Sequence, residues 1–528
     1  MGKITKYLNQ LIVGNVFDTP EILETYATDR SVLEIKPKFV AFPESTEDIR
    51  KLMRFFNQIA AKEIPVTVNV RGSGLDEGGA DLGTGLIIST EKLNKMLEID
   101  PRERLVRVQA GMTLKELNTA LSVSGLTVPI GGHENETIGG LISNAPVDDY
   151  MGKYGGISKY VERIEAVLAN GEVLQTMRYR KYAAAKKTAE KSLEGDIYRK
   201  ITKLIDKQKR LISSISKDEH NNIGYCNITN VLQKESWDLK PLFFGAQGTL
   251  GIISEVILRA IPISKKPART VATFKTLEQA IEFMDAVSVL RPRELNLYDL
   301  KIVQEARDSG KNLDGVIRKL EDGFVVYLAF DERQNYYMKK LTAMRDKFPR
   351  NAKFIYESPE NKLILNEFEN TLANYLNNMR GGERVPVLTD FYLPPENLEN
   401  FLKDLKILGE KLELDLALYG SYSSSVYSLR PKFNLEEEGY NRKMATFLRA
   451  GAYIIDRQEG KLTGGTPEGR VKAVVTNSEI PEPQKALYDE VKKIFDQNNI
   501  LGADIKLQAS SKFTLTHLRT TNSPRIML

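Results

Sequence analysis

The chain has 528 residues, 41% of them hydrophobic, with 75 basic against 70 acidic side chains and a formal net charge of +5. So near a balance argues against a nucleic-acid footprint, and the length suggests roughly two to four domains. The one cysteine, Cys226, excludes an intrachain disulfide, a CxxC pair and an iron–sulfur cluster held by this chain's own thiolates.

The start, "MGKITKYLNQLIVGNVF", is amphipathic and predicts a helical segment within 1–34. It lacks a signal-peptide core and cleavage site, and Lys6 stands where myristoylation needs Ser or Thr. No run approaches the ~18 apolar residues of a spanning helix. A cytoplasmic protein is expected, with peripheral membrane contact left open. Next come a strand, a helix capped by Ser45 or Thr46, and a strand in which Val66, Val68 and Val70 alternate. "LIIST" and "RLVRVQAGMTLKELNTALSVSG" give a strand, then a strand, a Gly111 turn and a helix. "VERIEAVLANGEVLQT" reads as two strands around Asn170-Gly171. Arg178 to Arg210 is helical and rich in Lys and Arg. A solvated face is the ordinary reading, against a patch for membrane or RNA.

"GTLGIISEVILRAIP" is a turn and a buried strand closed by Pro262, and a domain boundary is placed in "ISKKPAR". Beyond it, strand-like "TVATFKT", "GFVVYLAF" and "AKFIYES" alternate with helical "LEQAIEFMDAVSVL" and "YYMKKLTAMRDKF". "LDLALYGSYSSSVYSLRP" adds one or two strands. The pattern is α+β, with helices on one face of a mainly antiparallel sheet. A last helix, "EPQKALYDEVKKIFDQNN", precedes an irregular tail to Leu528.

The glycines of "VNVRGSGLDEGG" permit three readings. A Rossmann turn fails because Glu77 takes the sixth place of G-x-G-x-x-G. A Walker loop fails because no Gly-Lys pair is followed by Ser or Thr. An anion nest, or a turn that binds nothing, remains. A second glycine-dense stretch, "VPIGGHENETIGGLISNAPVDDYMGKYGG", favours one extended ligand such as a dinucleotide.

Taken in order, "YATDRSVLEIKPKFVAFPESTEDI", "VNVRGSGLDEGG", "VRVQAGMTLKELNTALSVSGLTVP", "TIGGLISNAP", "KYGGISKYVERIEAVLANGEVL", "NNIGYCNITNVL" and "GAQGTLGIISEVILRAIP" resemble the PCMH-type FAD-binding family of vanillyl-alcohol oxidase and p-cresol methylhydroxylase. The nearest branch is that of D-lactate dehydrogenase, glycolate oxidase and D-2-hydroxyglutarate dehydrogenase. The resemblance implies a two-subdomain FAD-binding domain over 35–262 and an α/β cap domain with a mainly antiparallel sheet over 263–480. A C-terminal helix and tail, 481–528, would return to the FAD domain. It places Arg71, Gly72, Ser73, Gly74 and Leu75 at the FAD pyrophosphate, with Gly78 and Gly79 nearby. Thr137, Ile138, Gly139, Ser143 and Asn144 would run beside the flavin ring and ribityl chain, with Ile253 close. Some relatives tether the flavin through a histidine near the first loop. This loop has none, so non-covalent FAD is expected.

The resemblance breaks in the cap. The branch's metal motif, Gly-His-x-Gly-Asp-Gly-Asn-x-His, reads "GSYSSSVYS" here, with Ser421 and Ser428 in place of both histidines. Its later Ser-Gly-Glu-His-Gly-x-Gly-Arg reads "TGGTPEGR", with Gly465 for the glutamate and Thr466 for the catalytic histidine. Gly469 and Arg470 still fit. Hydroxyls are poor ligands beside imidazole and carboxylate, so no metal is expected. Only His133, His220 and His517 remain in the chain. In exchange, Arg430 or Arg470 could bind a substrate anion and Tyr427 or Glu468 could take a proton, with Tyr298 and Asp299 as further candidates. Each of these also has an ordinary reading as a packing or surface residue.

The resulting expectation is an FAD-dependent dehydrogenase or oxidase that passes a hydride from a small hydroxylated substrate, anionic ones included, to flavin N5. The electron acceptor would be oxygen, a quinone or a carrier protein. The alternatives are a non-catalytic or redox-responsive flavin-binding subunit, and a basic scaffold on membrane or RNA.

Overall fold

Short apolar strands assemble the first layer. In the computed structural model, which describes residues 2–234, 236–264, 268–308, 313–317, 321–331, 334–345, 347–348, 352–378 and 384–520, strands Phe39–Phe42, Leu86–Ser89 and Val68–Arg71 run parallel. The segment 1–34 is more than helical. After helix Lys3–Leu11 it contributes Asn15–Phe17 as an antiparallel edge strand. Helix Thr46–Ala60 is capped by Ser45, whose hydroxyl accepts from Asp48 N.

A second, antiparallel sheet orders Met96–Asp100, Leu105–Gln109, Ile252–Arg259, Val161–Val167 and Val173–Gln175. The last two strands form the hairpin at Asn170-Gly171, where Gly171 has φ +80°. The basic region forms helices Lys181–Ala189, Leu193–Lys207 and Lys209–Ser214. Ile197, Ile201 and Leu204 of the longest are buried in the core shared with this sheet. Among the described residues no helix is long and apolar enough to cross a membrane.

The third sheet has seven antiparallel strands: Lys353–Tyr356, Ala268–Phe274, Phe324–Phe330, Glu294–Asp299, Leu416–Ser421, Val426–Pro431 and Leu388–Tyr392. Helices cover both faces, not one. Leu277–Ser288, Leu398–Leu412 and Tyr440–Arg457 pack on one side. Leu300–Asp308 and Lys362–Asn378 pack on the other. The reason is visible in Ala268–Phe274, which is buried at every position and so needs two covers. At the margin of the second cover, where Tyr298 and Tyr419 still pack against it, Asn296, Tyr298, Tyr419, Ser421 and Ser428 line an open cleft. The boundary read at "ISKKPAR" falls partly on 265–267, outside the described residues, as do 521–528 of the tail.

The C-terminal segment returns to the first two layers. Helix Glu482–Phe495 buries Leu487, Tyr488 and Val491 in the second-sheet core. Val68 N donates to Ile500 O at 2.7 Å and Gly502 N to Val68 O at 2.8 Å. The tail is less irregular than expected: it holds a helix, Ser511–Thr516, and Glu34 N donates to His517 O at 2.9 Å. Lys506 Nζ lies 2.5 Å from Glu468 Oε2, and both side chains are almost wholly buried.

A buried ion pair is costly to break from one side only. Lys506→Met should therefore lower unfolding free energy by about 3–5 kcal/mol, with Lys506→Met/Glu468→Gln losing less. Chemical denaturation reads both, and a single-variant loss within about 1 kcal/mol would contradict the pairing.

Candidate active site

The first glycine loop leaves strand Val68–Arg71 at its C-terminal end. Arg71 turns back: its guanidinium donates to Thr28 O at 2.8 Å and lies over the Tyr26 ring at 4.7 Å. Gly74 has φ +73°, and a Cβ there would sit 2.5 Å from that guanidinium. Glycine is thus required by backbone and by space. Among the described residues the amides of Ser73, Gly74 and Leu75 have no protein acceptor. Three successive free amides are the donor set of an anion nest. Gly78 and Gly79 are held from behind. Arg470 N donates to Gly78 O at 2.7 Å, and its guanidinium bonds Gly79 O and pairs with Asp504 at 2.6 Å.

The second loop presses against the first. Thr137 caps helix Ile138–Asn144, and its hydroxyl accepts from Gly140 N at 3.1 Å. A Cβ on Gly72 would meet Thr137 Oγ1 at 2.4 Å, and one on Gly139 would meet Ala110 Cβ at 2.9 Å. Gly72, Gly139, Ser143, Asn144 and Ile253 line one narrow cavity. Ile138 does not line it; its side chain is in the apolar core. Asn144, with Leu75 and Gly78, also lines an adjoining cleft of about 1110 Å³ open to solvent. The loop with the free amides joins Gly72 at the cavity to Leu75 at the cleft, so an extended ligand such as a dinucleotide would meet them between the two.

The cleft's opposite wall is the hairpin 416–431. Strand side chains alternate, so Val426 and Ser428 face the cleft while Tyr427 and Leu429 face the core. This corrects the Tyr427 expectation: its ring packs beside Phe391, and burial pushes its hydroxyl well above the ordinary range. Arg430 is on the cleft side but engaged, donating to both Glu77 oxygens at 2.7 Å and to Tyr419 Oη at 2.8 Å. Against burial, Arg430 and Arg30 hold Glu77 below the usual carboxylate range. Glu468 is not a free base either. Its oxygens accept from Gly224 N and Lys506. Arg470 clamps the glycine loop and does not reach the cleft. Tyr298 lines the cleft, whereas Asp299 accepts from Lys301 N at 2.9 Å at a helix start. His220 stacks on Tyr392 and His517 on Phe513, both away from the cleft.

Beside Ser428, Thr466 and His133 the cleft region holds Asp390, Lys472, Asp148 and Asp149, which no sequence motif singles out. Ser428 donates to Asp390 Oδ1 at 2.9 Å, and Thr466 lies 3.4 Å from Asp390 Oδ2. Lys472 Nζ bonds Thr466 Oγ1 at 2.7 Å. Burial pulls that amine down to about 8, against the opposing pull of Asp390. Asp390 has φ +49°, a strained conformation for a residue with a side chain. Gly465 N donates to its carbonyl at 2.6 Å, and a Cβ on Gly465 would strike that oxygen at 2.5 Å. On the second-loop side, His133 Nδ1 lies 2.7 Å from Glu136. Burial would lower this imidazole, but Glu136, Asp148 and Asp390 raise it to about 10. Asp149 is pushed to about 7 by burial and by Glu294, and Asp148 to about 6 by burial. The run "VDDY" in the glycine-dense stretch was the available signal for both.

Groove, glycine loops and antiparallel cap define a flavin-binding architecture, and comparison with known proteins agrees. Residues 37–177 match the FAD binding domain and residues 265–504 the C-terminal domain of FAD linked oxidases. The chain belongs to the FAD-linked oxidases. It is similar to D-2-hydroxyglutarate dehydrogenase of Pseudomonas putida, 22% identical over 500 residues, 90% of this chain and 48% of that protein. It thus spans about half the length of that relative. It is similar also to D-lactate dehydrogenase of Archaeoglobus fulgidus, 24% identical over 492 residues, 92% of this chain and 93% of that one. The fold resembles p-cresol methylhydroxylase with substrate bound, at a TM-score of 0.67 and 14% identity, covering 96% of this chain and 97% of that one.

Gly72→Val should lose FAD by wedging the two loops apart at Thr137, and Gly139→Val by displacing Ala110. Each purified variant should carry less than about a tenth of the wild-type flavin absorbance, a loss above 1.4 kcal/mol in binding. Normal loading in both would refute the loop assignment.

Proposed function

We propose that this chain oxidises a small hydroxylated compound in the cleft, with FAD held non-covalently in the adjoining groove and no divalent metal in the chemistry. The observation that carries this reading is the run of amides at Ser73, Gly74 and Leu75, free among the described residues, on the loop that leads from Gly72 at the narrow cavity to Leu75 at the polar cleft. Bound FAD supplies the two-electron acceptor; oxygen, a quinone or a carrier protein would reoxidise it. Gly72, Gly139, Ser143, Asn144 and Ile253 are assigned to its binding as lining residues, Arg71, Gly74, Gly78, Gly79 and Thr137 as residues that shape the loops.

Asp149 is the group we assign to take the substrate's hydroxyl proton. It lines the cleft, no donor among the described residues holds its carboxylate, and burial pushes its pKa to about 7, which suits proton transfer near neutrality. His133, ion-paired to Glu136, serves as a fixed positive neighbour. Where a metal would need ligands, Ser428 and Thr466 offer hydroxyls to Asp390, and Lys472 puts an amine 2.7 Å from Thr466. A dication beside that ammonium would be repelled, which supports metal-free chemistry. Non-covalent FAD is supported by the narrow cavity, whose described lining has no His, Cys or Tyr, and by the ion pair with Glu136 that occupies the cleft's His133.

One observation favours the second reading, a flavin-binding subunit without turnover: Arg430, Glu468 and Arg470 are all engaged in structural contacts. The two readings part under anaerobic conditions. Some member of a panel of alcohols, sugars and hydroxy acids should bleach the flavin band. No bleaching by any member, with FAD bound, would leave the subunit reading.

Three further outcomes are expected. Acid precipitation should release all the flavin. Chelators should leave flavin reduction unchanged, whereas loss restored by zinc or manganese would contradict the metal-free assignment. Since Asp149 accepts a proton only when ionised, kcat/KM should rise with pH to a plateau above about 7. Asp149→Asn should lower the plateau about 10²–10⁴-fold; an unchanged profile would remove Asp149 from the role.

A further inference from the structure

The cations around the cleft are all engaged. Arg30 pairs with Glu77 at 2.6 Å and donates to Leu376 O at 2.7 Å. His133 pairs with Glu136, and Arg430 lies on Glu77 and Tyr419. Lys472 bonds the carbonyl and hydroxyl of Thr466. Among the described lining residues Arg30 and His133 are the cations, each already ion-paired, and Arg30 Nε keeps one unmet N–H. The same wall carries Asp76, Asp148, Asp149 and Asp390. Burial and the neighbouring Asp29 already push Asp76 up to about 7, so the site resists further negative charge.

The cleft does offer unmet hydrogen-bonding capacity. Asn296, Asp148 and Ser424 line it, and their Oδ1, Oδ2 and Oγ atoms are buried with no protein partner among the described residues. These residues are 4%, 2% and 5% exposed. Buried polar atoms are rarely left so, and each unmet one is costly. Two of the three atoms only accept, and the third can accept. A ligand that brings O–H donors would meet them. Tyr298 and Tyr419, also on the cleft wall, stand 6.4 Å apart and nearly parallel at 9°. They offer aromatic surface for carbon-bound hydrogens.

We infer that the cleft binds an uncharged, polyhydroxylated substrate, a sugar or polyol, and disfavours 2-hydroxy acids. The inference rests on the reading of this cleft as the substrate site of an FAD-linked oxidase. It differs from the relatives' names, which specify 2-hydroxy acids. In the reaction, the substrate O–H proton passes to Asp149, the adjoining C–H bond gives its hydrogen and electron pair to the FAD oxidant, and a carbonyl remains.

Isothermal titration of the FAD-loaded full chain tests this directly. The probes are D-glucose, xylitol and glycerol against D-lactate and D-2-hydroxyglutarate. At least one neutral probe should bind, and the two anions should give no saturable heat. Ser424→Ala and Asn296→Ala should each weaken the neutral probe by about fivefold or more, in line with one lost hydrogen bond, with FAD content unchanged. Ser424→Ala alone suffices if the other variant fails to fold. Binding of the hydroxy acids without the neutral probes would overturn the inference, as would loss of FAD in Ser424→Ala with sugar affinity intact, since Ser424 would then serve the cofactor. The redox reading fails separately. A sugar that binds but never bleaches the flavin sinks that reading alone, and bleaching by a hydroxy acid only sinks this one alone.

Discussion

Arg470 holds the glycine loop in shape, and the rest of the site follows from that clamp. A segment rich in glycine has little intrinsic preference for one backbone path. Here its carbonyls at Gly78 and Gly79 are tied by Arg470, itself anchored on Asp504. Gly469, with φ +54°, approaches so closely that a Cβ would lie 2.3 Å from Gly78 O. Beside it, Glu468 bonds Gly224 N and Lys506. The cap's returning strand of chain, the C-terminal segment and the FAD-binding layers thus meet at one buried knot. It fixes the backbone that leaves the Ser73, Gly74 and Leu75 amides free.

Electrostatics divide the cleft into settled and unsettled charges. Glu77 between Arg30 and Arg430, and Glu136 with His133, are settled pairs. Asp76 and Asp149 are unsettled, with burial raising both to about 7. Their folded pKa values exceed the unfolded ones, so each stabilises the fold when protonated and loses that contribution as pH rises through about 7. A site that carries ionisable groups near neutrality stores capacity for proton transfer at some expense of stability.

Much of this was legible in the sequence. The two glycine stretches, the helix caps and the alternating strands declare themselves locally, and they locate the FAD-binding layers. The cap was harder. Chemistry alone points to Tyr427, but period-two alternation sets it opposite Val426, Ser428 and Arg430. Arg470 and Glu468 could not be judged locally, because their partners lie at Gly79, Asp504 and Lys506. The second helical cover went unread because Lys362–Asn378 has only a weak apolar stripe. Asp390, Asn296 and Lys472 carry no motif at all, and only tertiary packing brings them to the cleft.

The central claim is that free loop amides receive the phosphates of FAD. Spectroscopic titration of the flavin-free protein with FAD and with riboflavin, which has the same ring and no phosphate, tests it most directly. FAD should bind one to a chain and riboflavin about a hundredfold or more weaker, the difference that ~3 kcal/mol of charge-assisted bonding produces. Equal affinity for the two would contradict it.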